Sequence, residues 1–137
     1  MSKPFDQALY DANDERGRQV VKAWFEKKGF LAKDFFKYDV DLIIKKGNSW
    51  IGFVEVEVRS WDSCSFNTIH VAKRKEKLLR NAMTTVFFAV GNSLKIGYWC
   101  NGKDVLESPV VEVKNKFVFN GEYFYDVPLT KFKKVNL

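Results

Sequence analysis

Apolar and polar positions alternate along this chain in two periods, and the switches between them mark out its elements. Over residues 13–28, Val20, Val21, Trp24 and Phe25 recur at spacings of one, three and four, which lays one apolar stripe along a helix. Asn13 or Asp14 can cap that helix, its first turn is acidic, and Lys27, Lys28 and Gly29 suit its end. Residues 38–44 change to period two, with Tyr38, Val40, Leu42 and Ile44 on one side and Asp39, Asp41 and Ile43 on the other. Residues 50–59 repeat the pattern, with Val54, Val56 and Val58 against Phe53, Glu55, Glu57 and Arg59. Both runs predict strands, and Lys46-Gly47-Asn48-Ser49 predicts a hairpin turn between them. Residues 61–69 predict a loop. Residues 70–82 predict a second helix, with Val71, Leu78 and Leu79 apolar. Two more strands follow, at 84–90 and 94–100, around Gly91-Asn92-Ser93. The tail has strand-like runs at 109–113, 116–119 and 122–127, with Asn120-Gly121 as a hairpin signal. The order α-β-β-α-β-β, then short strands, predicts an α+β domain with a mixed sheet.

Composition narrows this picture. A chain of 137 residues with 46% hydrophobic content, thirteen Phe, five Tyr and four Trp has the length and apolar content of one domain with a real core. No apolar run approaches the roughly 20 residues of a membrane span. Met1-Ser2-Lys3-Pro4-Phe5-Asp6 lacks the apolar stretch of a signal peptide, so the expected setting is cytoplasmic. Two cysteines and one histidine do not supply a zinc tetrad. The net charge of +6 points toward a polyanionic partner. Most of that excess sits in residues 61–100, in Lys73, Arg74, Lys75, Lys77 and Arg80.

The candidate chemistry lies in the two acidic strands. Glu55 and Glu57 are two apart and share a strand face. A three-residue loop at Gly47-Asn48-Ser49 would centre the hairpin on position 48, setting Asp41 opposite Glu55 and Asp39 opposite Glu57. Like charges opposed across a sheet are destabilising unless something compensates them. One alternative is a solvated sheet face. The other is a divalent metal, since Mg²⁺ takes hard oxygen ligands and needs only one or two carboxylates beside water and phosphate.

Asp14-Glu15-Arg16 on the first helix, Asp41-Leu42-Ile43-Ile44, and Val54-Glu55-Val56-Glu57-Val58-Arg59 together resemble the PD-(D/E)XK nuclease superfamily, in particular archaeal Holliday-junction resolvases and restriction-type endonucleases. The resemblance covers about residues 10–100 of a single domain spanning 1–137, and leaves 101–137 as extra strands and tail. It implies a restriction-endonuclease-like αβββαβ core with a central mixed β-sheet flanked by helices. It implies Mg²⁺ or Mn²⁺ held by Asp41, Glu55 and the main-chain carbonyl of Val56, with Glu15 as the assisting helix acid. The implied reaction is hydrolysis of DNA to 5′-phosphate ends, and a homodimer is the arrangement that cuts both strands.

The family lysine is missing. Glu57 stands in its place in an E-x-E reading, and Arg59 does in an E-x-R reading shifted by two. Glu57 as general base is one substitute; a lysine from the next helix, Lys73 or Lys75, is another. Arg59, Lys73, Arg74, Lys75 and Lys77 are the expected DNA contacts, and Trp61 and Phe66 either stack on bases or pack the loop. A catalytically inactive nuclease-like module that binds DNA or a protein is the alternative function.

Overall fold

Helix α1 spans Gln7–Lys27, six residues longer at its start than the apolar stripe predicts. Gln7-Ala8-Leu9-Tyr10 contains no breaker, so the helix extends through it, and Asn13 and Asp14 lie inside the helix rather than capping it. Gly29, at φ +89°, terminates it as expected. The structure is a computed structural model. It describes the backbone of residues 7–35, 40–80, 84–115 and 118–137 and the side chains of 14–35, 40–80, 84–114 and 121–137.

Strand β1, Leu31–Asp34, shows no alternation and escapes sequence reading. It forms because β2, Leu42–Lys46, offers an edge to pair with. The hairpin from β2 to β3, Ser49–Val58, differs from expectation in two ways that cancel. Its loop has two residues, since Lys46 pairs with Ser49, and Gly47 (φ +60°) takes the first position as in a type II′ turn. Ile44 then pairs with Gly52 and Lys45 with Trp50, which leaves Ile51 as a one-residue bulge. The shorter loop and the bulge together restore the expected register: Leu42 faces Val54, so Asp41 comes level with Glu55. Asp39, expected opposite Glu57, lies outside the described residues, as does Tyr38.

The helix expected at 70–82 begins as a strand and keeps only a single α-helical turn. Thr68–Ala72 is β4, followed by a 3-10 turn at Lys73–Lys75 and a single-turn helix α2, Glu76–Leu79. Ile69 and Val71 are buried while Thr68 and His70 are not, a period of two that a waiting partner strand selects over the helix. Next come β5 (Thr84–Val90), β6 (Ile96–Asn101), helix α3 (Gly102–Leu106), β7 (Val110–Asn115), β8 (Val118–Pro128), a 3-10 turn (Leu129–Lys131) and β9 (Lys133–Asn136). Asn120-Gly121 is not the hairpin turn. Val113 pairs with Glu122 and Asn115 with Val118, so the chain reverses after Asn115 and Asn120-Gly121 falls where the register shifts inside β8.

A six-stranded sheet runs β1-β2-β3-β5-β6-β9, and β4-β8-β7 form a second, three-stranded sheet. The β3–β5 pair is parallel and the remaining pairs are antiparallel, giving an α+β fold with a mixed central sheet flanked by helices. On one face α1 lays Val21, Trp24 and Phe25 against Val54, Val56, Phe88 and Val90. On the other, Ile69, Val71, Leu79, Val105, Tyr125 and Val127 cover Phe87, Ala89, Tyr98 and Cys100. The tail is thus part of the core: β8 carries Tyr125 and Val127, and Phe132 meets Phe87 edge-on. Among the described residues no helix is long and apolar enough to cross a membrane.

Candidate functional site

Pairing of β3 with β5 sets Glu55 beside Phe87 and Glu57 beside Ala89, on the face that the small sheet and α2 cover. That placement buries acids. Glu55 is only 7% exposed, although a carboxylate is almost never interior without a partner. The partner is Lys75, whose backbone sits on the 3-10 turn before α2. Its Nζ lies 2.6 Å from Glu55 Oε1 and 3.2 Å from Glu57 Oε1. Glu57 also accepts a hydrogen bond from Arg59 (2.9 Å), and the same guanidinium donates to the His70 carbonyl (2.6 Å). Lys75 therefore bridges the two glutamates, and Arg59 is a second cation on Glu57.

Asp41 arrives from the entry to β2. Its Oδ2 accepts the Val56 N–H at 2.7 Å, and Arg18 of α1 stands 3.9 Å from its Oδ1. The helix can come this close because residue 17 is glycine: a Cβ there would sit 2.5 Å from Val58 Cγ2. Asp14, one turn before Arg18, is half-buried and feels the charges of Asp41, Arg18, Lys75 and Glu57. Glu15, the helix acid expected at the site, is exposed. It is one residue out of phase, since only every third or fourth position of a helix meets the sheet.

Four acids thus surround three cations. Burial pushes the Glu55 carboxyl up to about 8; Lys75 opposes this, and the Asp41 and Glu57 charges add to it. Burial also raises Asp41, against the Val56 N–H and the Arg18 charge. Burial raises Asp14, and Asp41 adds to that. Burial alone would lower Lys75, but Glu57 and Glu55 overcome it and hold the ammonium charged above its ordinary range. Burial and the crowding of like charge thus leave these acids incompletely compensated.

That frustration has a location. Glu55 Oε2 is buried without a hydrogen-bond partner. The Val56 N–H points at Asp41, and a strand residue's N–H and C=O project to the same edge, so the Val56 carbonyl lies on the edge of β3 from which Asp41 approaches. Asp41, Glu55 and the Val56 carbonyl are hard oxygen donors of the kind Mg²⁺ takes, and this donor set fits it. Among the described residues no three His, Cys, Asp or Glu side chains gather into a ready cage.

The expected DNA-binding helix is not a free basic surface. Lys75 is turned inward, Lys73 pairs with Glu76 (2.8 Å), Arg74 pairs with Glu122 (2.7 Å), and Arg80 also reaches Glu76 (3.0 Å). Arg59 is spent on Glu57, and Lys77 is exposed. Beside Arg59, a groove of about 250 Å³ is lined by Trp61, Phe66, Thr68, Ile69 and His70. Trp61 packs edge-on against Tyr98, while Phe66 is 65% exposed.

Of the site residues expected from sequence, Asp41, Glu55, Val56, Glu57, Arg59 and Lys75 come together; Glu15, Lys73, Arg74 and Lys77 do not join them. Asp14 and Arg18 were missed. Their signal is the four-residue spacing of an acid and a base around Gly17. In comparisons with known proteins, no family model and no curated protein matches this chain.

Proposed function

We propose that this protein is a metal-dependent nuclease that hydrolyses DNA phosphodiester bonds, with Asp41 and Glu55 as the metal-binding acids and Lys75 in the role of the missing motif lysine. The observation that carries the reading is the Lys75 ammonium, 2.6 Å from Glu55, beside a strand that itself carries no lysine. An E-x-K motif delivers its lysine from the strand; here the 3-10 turn after β4 delivers one to the same acids. The PD-(D/E)XK resemblance and the α+β fold with its mixed sheet support the same reading.

When bound, Mg²⁺ or Mn²⁺ would polarise the phosphate and activate a water at neutral pH. Asp41, Glu55 and the Val56 carbonyl would hold it. Lys75 stabilises negative charge developing on the phosphate and orients the water. Its raised pKa keeps it a cation, so it serves as an electrostatic and donor group rather than a base. Glu57 is committed to Lys75 and Arg59, which makes it the residue that positions Lys75 rather than the general base. Arg18 and Asp14 fix Asp41 from the helix side.

The test is cleavage of supercoiled, branched and single-stranded DNA with Mg²⁺ or Mn²⁺, comparing wild type with Asp41→Ala and Lys75→Met. The expected result is metal-dependent nicking, lost in Asp41→Ala and reduced at least about 100-fold in Lys75→Met. An inert wild type on all three substrates would overturn the enzyme reading. It would leave the second one, a binding module whose acids are locked in ion pairs, which the commitment of Glu57 to Arg59 and Lys75 favours.

A further inference from the structure

The acid-bearing face of the central sheet continues past Phe53 to the tip of the β2–β3 hairpin, and there its character changes. Trp50 is 46% exposed, with Leu31 and Ile51 beside it at 44% and 42%. Two lysines stand over the indole: Lys45 Nζ lies 5.1 Å and Lys33 Nζ 5.8 Å from its ring centre. Leu31 pairs with Lys45 and Lys45 with Trp50, so the three form one row across β1, β2 and β3. Asp34, the acid of β1, pairs with Leu42 and so belongs to the opposite face. Among the described residues neither Lys33 nor Lys45 has an ion-pair partner, in contrast to Lys73, Arg74 and Lys75. The hairpin thus sets two such cations beside an exposed aromatic side chain.

From this we infer that the hairpin tip binds a single strand of nucleic acid, stacking one unpaired base on Trp50 while Lys33 and Lys45 meet the flanking phosphates. This rests on the nucleic-acid reading of the acid cluster. Trp50 precedes Glu55 by five residues on β3, a span of about 15 Å along the strand, so a chain seated at the tip reaches the acids within a few nucleotides. Stacking on Trp50, which is half exposed, requires a base that is not already stacked, which selects single strands, flaps and frayed ends over intact duplex. An aromatic ring beside cations is how sequence-tolerant sites track a single strand. The charge complementarity is to phosphate, since the row carries no carboxylate.

The experiment measures binding with chemistry switched off. Fluorescein-labelled oligothymidine and a blunt duplex of equal length are titrated with the protein in EDTA, followed by anisotropy at several salt concentrations. Single strand is expected to bind more tightly than duplex. Trp50→Ala should weaken it roughly tenfold or more, and Trp50→Phe should largely retain it. Lys33→Gln with Lys45→Gln should lower the salt slope by about 0.7 per lysine. Changing Lys73, Arg74 and Lys77 to Gln should alter affinity little.

Unchanged affinity in the hairpin variants, with circular dichroism showing both folded, would overturn the inference. So would uptake by anionic vesicles without binding to oligonucleotide. A wild type that binds through the hairpin but cuts nothing removes the enzyme reading alone. One that cuts, and whose hairpin variants bind and cut as well as it does, removes this inference alone.

Discussion

Glu55 shows how strongly one position can couple stability to charge. Its carboxyl has an ordinary value of 4.5 and is pushed up to about 8 by burial and by neighbouring acids. Between those values the folded chain holds a proton that the unfolded chain has released, so this group's contribution is complete below the lower value and is lost as pH rises to the upper one. Melting temperature should accordingly fall by several degrees from about pH 5 to about pH 9, and Glu55→Gln should flatten that fall; an unaltered profile in the variant would assign the dependence elsewhere. Mg²⁺ added near the upper end should restore part of the loss, because metal binding displaces the proton, and EDTA should reverse it. Lys75→Met leaves Glu55 and Glu57 without their buried cation. Denaturant unfolding should show a loss of about 3–5 kcal/mol above about pH 8, where Glu55 is ionised, shrinking as pH falls and Glu55 takes up its proton. These residues were legible in part. Strand alternation put Glu55 and Glu57 on one face, and counting found Asp41. The choice of Lys75 over Lys73 was not legible, because it depends on where a 3-10 turn aims each side chain.

Among the elements, α1 and the β2–β3 hairpin do most to build the site. The close approach of α1 through Gly17 brings Asp14 and Arg18 to Asp41. Gly17→Val should cost about 1–3 kcal/mol by overpacking against Val58, and should weaken Mg²⁺-dependent stabilisation by lifting Arg18 from Asp41. A thermal melt with and without metal reads both effects, and an undiminished metal response would show that α1 does not matter to the site. The hairpin reached its expected register by an unexpected route, a two-residue loop compensated by the bulge at Ile51. Loop length is read from turn residues, whereas a bulge leaves no local mark in the sequence. The stretch at 68–75 failed for a related reason. Its alternation covers only five residues, and the basic run after it carries no period, so the partner strand β8 decided its conformation.

At the scale of the whole molecule, the two sheets close on each other only because the last third of the chain returns to the first. β8 covers β4, β9 adds an edge to β6, and Phe132 packs on Phe87. Removing residues 129–137 should expose that core and make the protein sensitive to limited proteolysis at temperatures where the full chain resists; equal resistance would mean that the tail is dispensable after all. The sequence by itself determined the class of fold, the acid-bearing strand pair and the net basic charge, since each follows from local periodicity and counting. Only the tertiary structure decided which helix acid meets the cluster, which lysine completes it and where cationic charge remains unpaired. Those outcomes depend on distances between segments remote in the chain. A charge counted as free in the sequence becomes an internal partner when folding carries a carboxylate to it, as it does for Lys75, Arg59 and Arg74, and stays available where none arrives, as at Lys33 and Lys45.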